Sequence, residues 1–248
     1  MGCPVHREIH RFDGWHFLAT GLSRRIDGPD GRPYAVDIFR GGGGSIHDWA
    51  LHGEGPAFAV KGVELKAVDQ FPGKDYAYEE VSNVQSGPIN GEVQAQWKWN
   101  DGAILEAHIA SQEDAQFFTT LSPGMRLREQ QDRKIHSLFI RRSGENLRSQ
   151  FIAAYDPHRG DSQVKGIETM TVSPQADWAL VFKVQLAGGI TDYIFSAYID
   201  VTPLGEVFQG DGLAVPWKSR FGVVRVKDGQ IMQQEWIDAP MEGLAHDI

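Results

Sequence analysis

Apolar and polar residues alternate with a period of two along most of this chain, and turn-forming residues interrupt the alternation at short intervals. In the segment 34–40, even-numbered residues share one face of an extended chain and odd-numbered residues the other. Apolar residues at the spacing of an amphipathic helix are scarce. This pattern predicts antiparallel β-sheet from end to end.

Three hairpins are predicted where turn residues separate alternating runs. Residues 27–33 combine Gly and Pro, which supply positive φ and a fixed turn entry. Residues 100–102 join a strand at 93–99 to one at 105–109, and residues 227–229 join one at 221–226 to one at 231–236. Further strands are predicted where β-branched and aromatic residues dominate, at 137–141, 147–155, 178–186 and 192–199.

The strand number favours stacked sheets over one open sheet, because well over ten strands are predicted. With 41% hydrophobic and 10% aromatic residues, the chain can bury a sizeable core. We therefore expect an all-β fold: a large antiparallel β-sandwich, supersandwich or jelly-roll-like, with few or no helices. One domain spanning residues 1–248 is the expected organisation.

Charge and composition narrow the classes of partner. A formal net charge of -9 disfavours nucleic acid and anionic membranes, which attract cationic surfaces. No segment approaches the roughly 20 apolar residues that span a bilayer, so no membrane span is expected. Cys3 stands alone, so no internal disulfide is expected, and the first residues show no secretory signal.

One ordered string is more specific than the alternation. It runs Tyr34-Ala35-Val36-Asp37-Ile38-Phe39-Arg40, then a glycine run at 41–44, then His47-Asp48-Trp49-Ala50-Leu51-His52-Gly53. The segments 151–157 and 191–196 follow in order. From Arg24 to Ser196 the chain resembles the C-terminal β-sandwich region of heparinase II/III-like polysaccharide lyases.

The resemblance implies a partner domain and a ligand class. Members of that family combine an α/α toroid, which carries the residues for β-elimination from uronic-acid sugars, with a β-sandwich that closes the cleft. It therefore implies a polysaccharide or oligosaccharide partner, which can contain uronic acid, an α/α-toroid domain as a neighbour, and export to the periplasm or the exterior. The family's His-x-His-x-Asp metal string is absent from this sequence, and no catalytic residue of the family maps onto a position here.

His47, Asp48 and His52 are candidate metal ligands, because imidazole and carboxylate bind zinc. On a regular strand His47 faces away from Asp48 and His52, and the latter two lie roughly 13 Å apart. We therefore predict no metal site and no cofactor, and expect hydrogen-bonded polar residues that organise a strand and its turn. Asp37 is expected to cap the 41–44 turn or to pair with Arg40.

The catalytic candidates are His47, His52, Tyr155 and His158. One predicted strand-to-turn corner is the run Tyr155-Asp156-Pro157-His158-Arg159. It brings together a phenol, a carboxylate and an imidazole, which are groups suited to acid/base chemistry. Turn chemistry gathers the same residue types, so a structural role for the corner is the alternative.

Ligand-binding candidates are aromatic and cationic. Indole faces pack on pyranose rings, and the tryptophans considered are Trp49, Trp97, Trp99, Trp178, Trp217 and Trp236. Core packing is favoured for most of them, whereas Trp217, next to Lys218 and Arg220, is predicted to lie on a loop. Arg141 and Arg142 could fork onto a carboxylate or sulfate, and the pairs Arg126 with Arg128 and Arg133 with Lys134 add positive charge nearby, with scattered solvated charge as the alternative.

Three functions remain open from the residues. The first is an accessory, carbohydrate-contacting sandwich of lyase type that is not a complete catalyst. The second is a self-contained carbohydrate-active enzyme, a uronic-acid polysaccharide lyase or a hydrolase, with a site at a sheet edge. The third is a structural β-sandwich with an assembly surface.

Overall fold

The computed structural model describes residues 18–73, 79–112, 114–124, 133–172, 179–197 and 206–237. Strands account for 66% of the described residues and helix for 1%, which confirms the all-β prediction. Every strand pairing is antiparallel among the described residues. None of the described residues forms a helix with the length and apolar character to cross a membrane.

The chain divides into two compact units, Met1–Ser162 and Gln163–Ile248. The prediction of one domain over the whole length stays a prediction. The first unit contains β1 Leu18–Asp27, β2 Pro33–Gly42, β3 Ile46–Gly53, β4 Ala57–Lys61, β5 Lys66–Ala67, β6 Ser82–Pro88, β7 Val93–Lys98, β8 Ile104–Ile109, β9 Ala115–Pro123, β10 Lys134–Ser143 and β11 Arg148–His158.

The first unit is a sandwich of two sheets. A six-stranded sheet has the order β1-β2-β11-β8-β7-β4, and a five-stranded sheet has the order β3-β10-β9-β6-β5. One apolar cluster joins them, with Trp97 and Phe151 from the first sheet and Phe117 and Leu138 from the second. The Trp97 indole N–H donates to the His136 carbonyl at 3.1 Å, so a hydrogen bond also crosses between the sheets.

The second unit pairs a five-stranded sheet with a two-stranded one. Its strands are β12 Val164–Met170, β13 Leu180–Leu186, β14 Ile190–Ser196, β15 Val207–Gly210, β16 Leu213–Pro216, β17 Phe221–Lys227 and β18 Gln230–Ile237. The larger sheet has the order β12-β13-β14-β17-β18, and β15 pairs with β16. Phe195 from the larger sheet and Phe208 from the smaller one pack edge to face, with ring centroids 5.3 Å apart, so the two sheets share a core.

The three predicted hairpins are confirmed, and their turns explain why. Gly31, Gly102 and Gly229 all have positive φ, a conformation that costs glycine little. In the last hairpin Asp228 also has positive φ, and the strands pair directly on either side of these two residues. This is the geometry of the two-residue turn that an Asp-Gly pair favours.

Candidate functional site

An open cleft of about 560 Å³ lies at one end of the first sandwich. Three segments that are distant in sequence form it. They are the β3–β4 connection with Glu54 and Pro56, the β7–β8 hairpin loop with Trp99, Asn100 and Asp101, and the residue before β10, Arg133. These six residues form the Trp99 cleft.

Two glycines hold the β3–β4 connection against the sandwich. A Cβ on Gly53 would lie 2.7 Å from the Trp97 ring, and one on Gly55 would lie 2.9 Å from the Trp97 Cβ, closer than real side chains approach. The chain can therefore pass directly over the buried Trp97 only because both residues lack a side chain. This close passage fixes the position of Glu54 between them.

The hairpin loop presents Trp99, Asn100 and Asp101 in a defined conformation. The Trp99 N–H donates to the Ala103 carbonyl at 2.9 Å, and the Gly102 N–H donates to the Trp99 carbonyl at 3.0 Å. The Asp101 carboxylate accepts from the Ala103 N–H at 3.0 Å, which is the short-range bond typical of aspartate in turns. Trp99 packs partly against the sandwich core and remains partly exposed.

Each carboxylate at the Trp99 cleft has a guanidinium partner. Arg159 Nη2 donates to Asp101 Oδ2 at 2.6 Å, and Arg133 Nη2 lies 3.4 Å from Glu54 Oε2. The Ala103 N–H and then the Arg159 guanidinium hold the pKa of Asp101 below its usual range. Asp101 is therefore ionised at neutral pH, which suits it to accept hydrogen bonds and makes it a poor proton donor.

The residues of the Trp99 cleft fit the recognition of polyhydroxylated molecules. An indole offers an apolar face, carboxylates accept from hydroxyl groups, and amides both donate and accept. From the sequence, Trp99 and Arg133 are separate candidates, and residues 100–102 are only a turn. Glu54, Asn100 and Asp101 were not predicted as site residues; the available signal was an aromatic residue directly before a polar turn.

His47 belongs to a buried hydrogen-bond network and not to a solvent-facing site. Its Nε2 lies 2.5 Å from the Gly43 carbonyl oxygen, so Nε2 carries a proton and donates. Its Nδ1, 2.8 Å from Ser149 Oγ, then accepts from that hydroxyl. Burial, together with the Arg142 charge, lowers the pKa of His47, in agreement with a neutral ring. The network links the 42–44 turn to β11.

Arg141 and Arg142, predicted to bind an anionic ligand, both make internal contacts. Arg141 forms a two-pronged ion pair with Asp48 at 2.7 and 2.5 Å, and its guanidinium lies 4.8 Å from the Phe71 ring centroid. Arg142 donates to the Arg148 carbonyl at 2.6 Å and to Ser149 Oγ at 3.2 Å. Strand pairing places Asp48 opposite Arg141, whereas the acceptors of Arg142 lie on β11 in the other sheet.

Tyr155 faces the interior of the first sandwich. Its hydroxyl donates to Asp37 Oδ2 at 3.3 Å, and Ser23 Oγ donates to Asp37 Oδ1 at 2.9 Å. Burial raises the pKa of Tyr155 well above its usual range, and the Asp37 charge adds to this. Burial also raises the pKa of Asp37, against the lowering effect of its donors. The expected role of Asp37 as a cap of the 41–44 turn or a partner of Arg40 is replaced by this pairing across the strands.

The predicted corner at 155–159 is wrong in one respect, because β11 continues to His158. Side chains on a strand alternate, so Tyr155 and Asp156 face opposite sides of the sheet. Asp156 accepts from Ser162 at 2.7 Å, and Arg159 reaches the Trp99 cleft. The acid/base collection that the sequence suggested is thus divided among separate surroundings.

His158 belongs to a buried network in which carboxylates and imidazoles alternate. His158 Nδ1 donates to the Gly160 carbonyl at 2.8 Å, and its Nε2 lies 3.4 Å from Glu106 Oε2. Glu106 Oε1 lies 3.5 Å from His108 Nε2, and His108 Nδ1 lies 2.6 Å from Glu92 Oε1. Both imidazole side chains are 2% exposed, so a substrate could hardly reach them. The network therefore links neighbouring strands.

Trp217 follows β16 outside the strands, as the loop prediction requires, but it is buried in the core of the second unit. It is 2% exposed, its ring meets Phe195 edge to face at 5.1 Å, and its N–H donates to the Ser219 carbonyl at 2.7 Å. The folding of β15–β16 against the larger sheet carries it into the core. Trp97 is fully buried, as core packing required. Three residues of the original set, Trp178, Arg126 and Arg128, lie outside the described residues.

His52 lies on the exposed face of β3, opposite in direction to the buried His47, as the alternation predicted. Within the described ranges, no group of three or more His, Cys, Asp or Glu side chains is placed to hold a metal ion. The four catalytic candidates, His47, His52, Tyr155 and His158, therefore occupy different positions: one exposed and three in separate hydrogen-bond networks.

A second open groove of about 610 Å³ lies between the two sheets of the first unit. Phe58, Val60 and Leu121 give it apolar walls, and Thr119 and His136 contribute polar groups. Burial lowers the pKa of His136, so this imidazole is neutral at neutral pH. No charged side chain is found among the described residues that line it.

No model of a known protein family matches the chain, and no curated protein matches it.

Proposed function

We propose that this chain is an accessory, carbohydrate-contacting β-sandwich protein, related to the C-terminal sandwich of heparinase II/III-like polysaccharide lyases and not a complete catalyst alone. The observation that carries the proposal is the Trp99 cleft, where a partly exposed indole lies beside two carboxylates, an amide and a guanidinium. The relation to the lyases depends on the residue string 34–53 and on the segments 151–157 and 191–196 that follow it in order.

The distribution of the acid/base candidates supports a binding role over catalysis. Elimination from a sugar acid needs a base, an acid and a charge-neutralising group around one reacting carbon. His47, Tyr155 and His158 each serve a different internal network, and two of them face protein carbonyls. The Trp99 cleft itself contains no imidazole or phenol among its described residues.

The test is affinity electrophoresis of the whole chain against a panel of neutral glucans, alginate and heparin. Retardation by at least one polymer is expected. Trp99→Ala should weaken it about tenfold, which corresponds to about 1.4 kcal/mol, while Trp99→Phe should retain much of it because a ring face remains. Met232→Ala, at a 64% exposed side chain in the second unit, is the control and should bind as the wild type does.

Two results would contradict the proposal. One is the absence of retardation by every polymer. The other is unchanged retardation of a folded Trp99→Ala variant, whose fold is checked by circular dichroism and by its melting temperature. Release of unsaturated, ultraviolet-absorbing products from a uronic-acid polymer would contradict the non-catalytic part of the proposal.

A further inference from the structure

We infer that the Trp99 cleft selects a neutral glycan, whose hydroxyl groups donate to Glu54 and Asp101, over a polyuronate of the same backbone. This inference rests on the proposed function, because it names the ligand class of the same cleft. It runs against the uronic-acid ligand that the resemblance to polysaccharide lyases implies.

The cleft has no excess positive charge to attract a polyanion. Its described lining contains two carboxylates and one guanidinium, and the Arg159 guanidinium 2.6 Å from Asp101 balances the second carboxylate. Arg133 is already paired with Glu54, and Arg159, outside the lining, is paired with Asp101. Neither arginine is left to attract a carboxylate on the ligand. The formal charge of -9 on the whole chain adds repulsion of a polyanion at longer range.

The arginines that the sequence predicts for a uronate make internal contacts. They are Arg141 and Arg142, chosen because a guanidinium forks onto a carboxylate. Arg141 is 8% exposed and bound to Asp48, with a further hydrogen bond to the Pro72 carbonyl. Arg142 donates to the Arg148 carbonyl. These two guanidinium groups serve the protein and not a ligand.

The carboxylate oxygens of the Trp99 cleft can accept further hydrogen bonds from a ligand. An ionised carboxylate has two acceptor sites on each oxygen. On Asp101, Oδ1 receives the Ala103 N–H and Oδ2 receives Arg159, so one site remains on each oxygen. Glu54 interacts with Arg133 through Oε2, which leaves Oε1 for a ligand. Adjacent hydroxyls of a neutral sugar can donate to such a pair of oxygens, whereas a uronate carboxylate cannot donate.

The experiment compares polymers that differ only in charge. Hydroxyethyl cellulose, galactomannan and amylose are each tested beside the same polymer oxidised at C6 to the uronate, and polygalacturonate is tested beside its methyl ester. Affinity electrophoresis and calorimetry at low and high salt give the dissociation constants. We expect the neutral member of a bound pair to bind at least tenfold more tightly at low salt, and the preference to shrink as salt screens the repulsion.

Glu54→Gln is the informative variant, because it removes one negative charge and with it the ion pair to Arg133. It should reduce the preference for the neutral member severalfold, while Glu64→Gln, an exposed acid that pairs with Lys66 outside the Trp99 cleft, should leave the preference unchanged. If the oxidised or unesterified member binds as tightly as its neutral counterpart or more tightly, the neutral selectivity is overturned while the carbohydrate-contacting role stands. If no polymer binds, both fail.

Discussion

The ion pair between Arg141 and Asp48 offers a direct test of whether a predicted ligand-binding arginine is structural. The two residues lie opposite each other on β10 and β3. Their side chains are 9% and 15% exposed, and the contacts of 2.7 and 2.5 Å have the two-pronged geometry of a guanidinium with a carboxylate. Removing one partner leaves the other charge with little access to water.

Breaking a buried pair from one side costs about 3–5 kcal/mol, and the residual exposure of both side chains places this pair at the lower end. We therefore expect Asp48→Asn to lower the free energy of unfolding by about 3 kcal/mol. In a protein of this size that corresponds to a melting temperature about 6–12 °C lower. Arg141→Met should cost a similar amount, since it leaves Asp48 without the guanidinium and removes the contact with Phe71.

The assay is urea denaturation of the wild type, both single variants and the double variant. The double variant should lose less stability than the sum of the single losses, by at least about 1 kcal/mol, because the second change no longer breaks a pair. Lys66→Met is the control: its pair with Glu64 spans 3.7 Å between side chains 78% and 85% exposed, so the change should stay below about 0.5 kcal/mol. Single variants that each cost less than about 0.5 kcal/mol and add independently would refute this reasoning.

Three further predictions concern single positions in the first unit. Gly55→Ala should lower the free energy of unfolding by about 1–3 kcal/mol in urea denaturation, because its Cβ would lie 3.0 Å from a backbone nitrogen of β7. Gly91→Ala is the control and should be neutral, because a Cβ there would have nothing within 4 Å. Burial lowers the folded-state pKa of His47 below 6.5, so the folded state binds fewer protons than the unfolded state and stability falls as pH drops below 6.5. His47→Gln should flatten that loss in urea titrations, and an unchanged slope would contradict it. Tyr155→Phe removes a donor to the buried carboxylate of Asp37 and should lower the free energy of unfolding by about 1 kcal/mol at neutral pH. The loss should be smaller in acid, where Asp37 is protonated. A variant as stable as the wild type at both pH values would show that the hydrogen bond contributes nothing.

Much of the strand pattern could be predicted from the sequence, because side-chain direction and turn preference are local properties. Alternation along 34–40 identified which residues of β2 share a face, and Asp-Gly at 228–229 identified a two-residue hairpin. Alternation also predicted that His47 and His52 face opposite sides of β3. None of these features depends on residues distant in sequence.

The candidate site could not be predicted in this way, because its members come together only through strand pairing and sheet stacking. Glu54, Trp99 and Arg133 come from three segments of the first unit, and no local pattern relates them. The sequence predicted Arg141 as a ligand-binding residue, whereas the register of β10 with β3 places Asp48 opposite it.

The sequence by itself determined that this is an all-β protein with defined faces and turns, because an extended chain turns alternate side chains to opposite sides whatever its neighbours are. Only the tertiary structure decided which of those side chains meet. It buried Trp217 against Phe195 by folding one small sheet onto a larger one, and it left Trp99 at an open cleft beside Glu54 and Asp101. The physical reason is that strand register and sheet stacking are set by the apolar area that the whole unit buries. That area depends on all its strands together and cannot be read from one short segment.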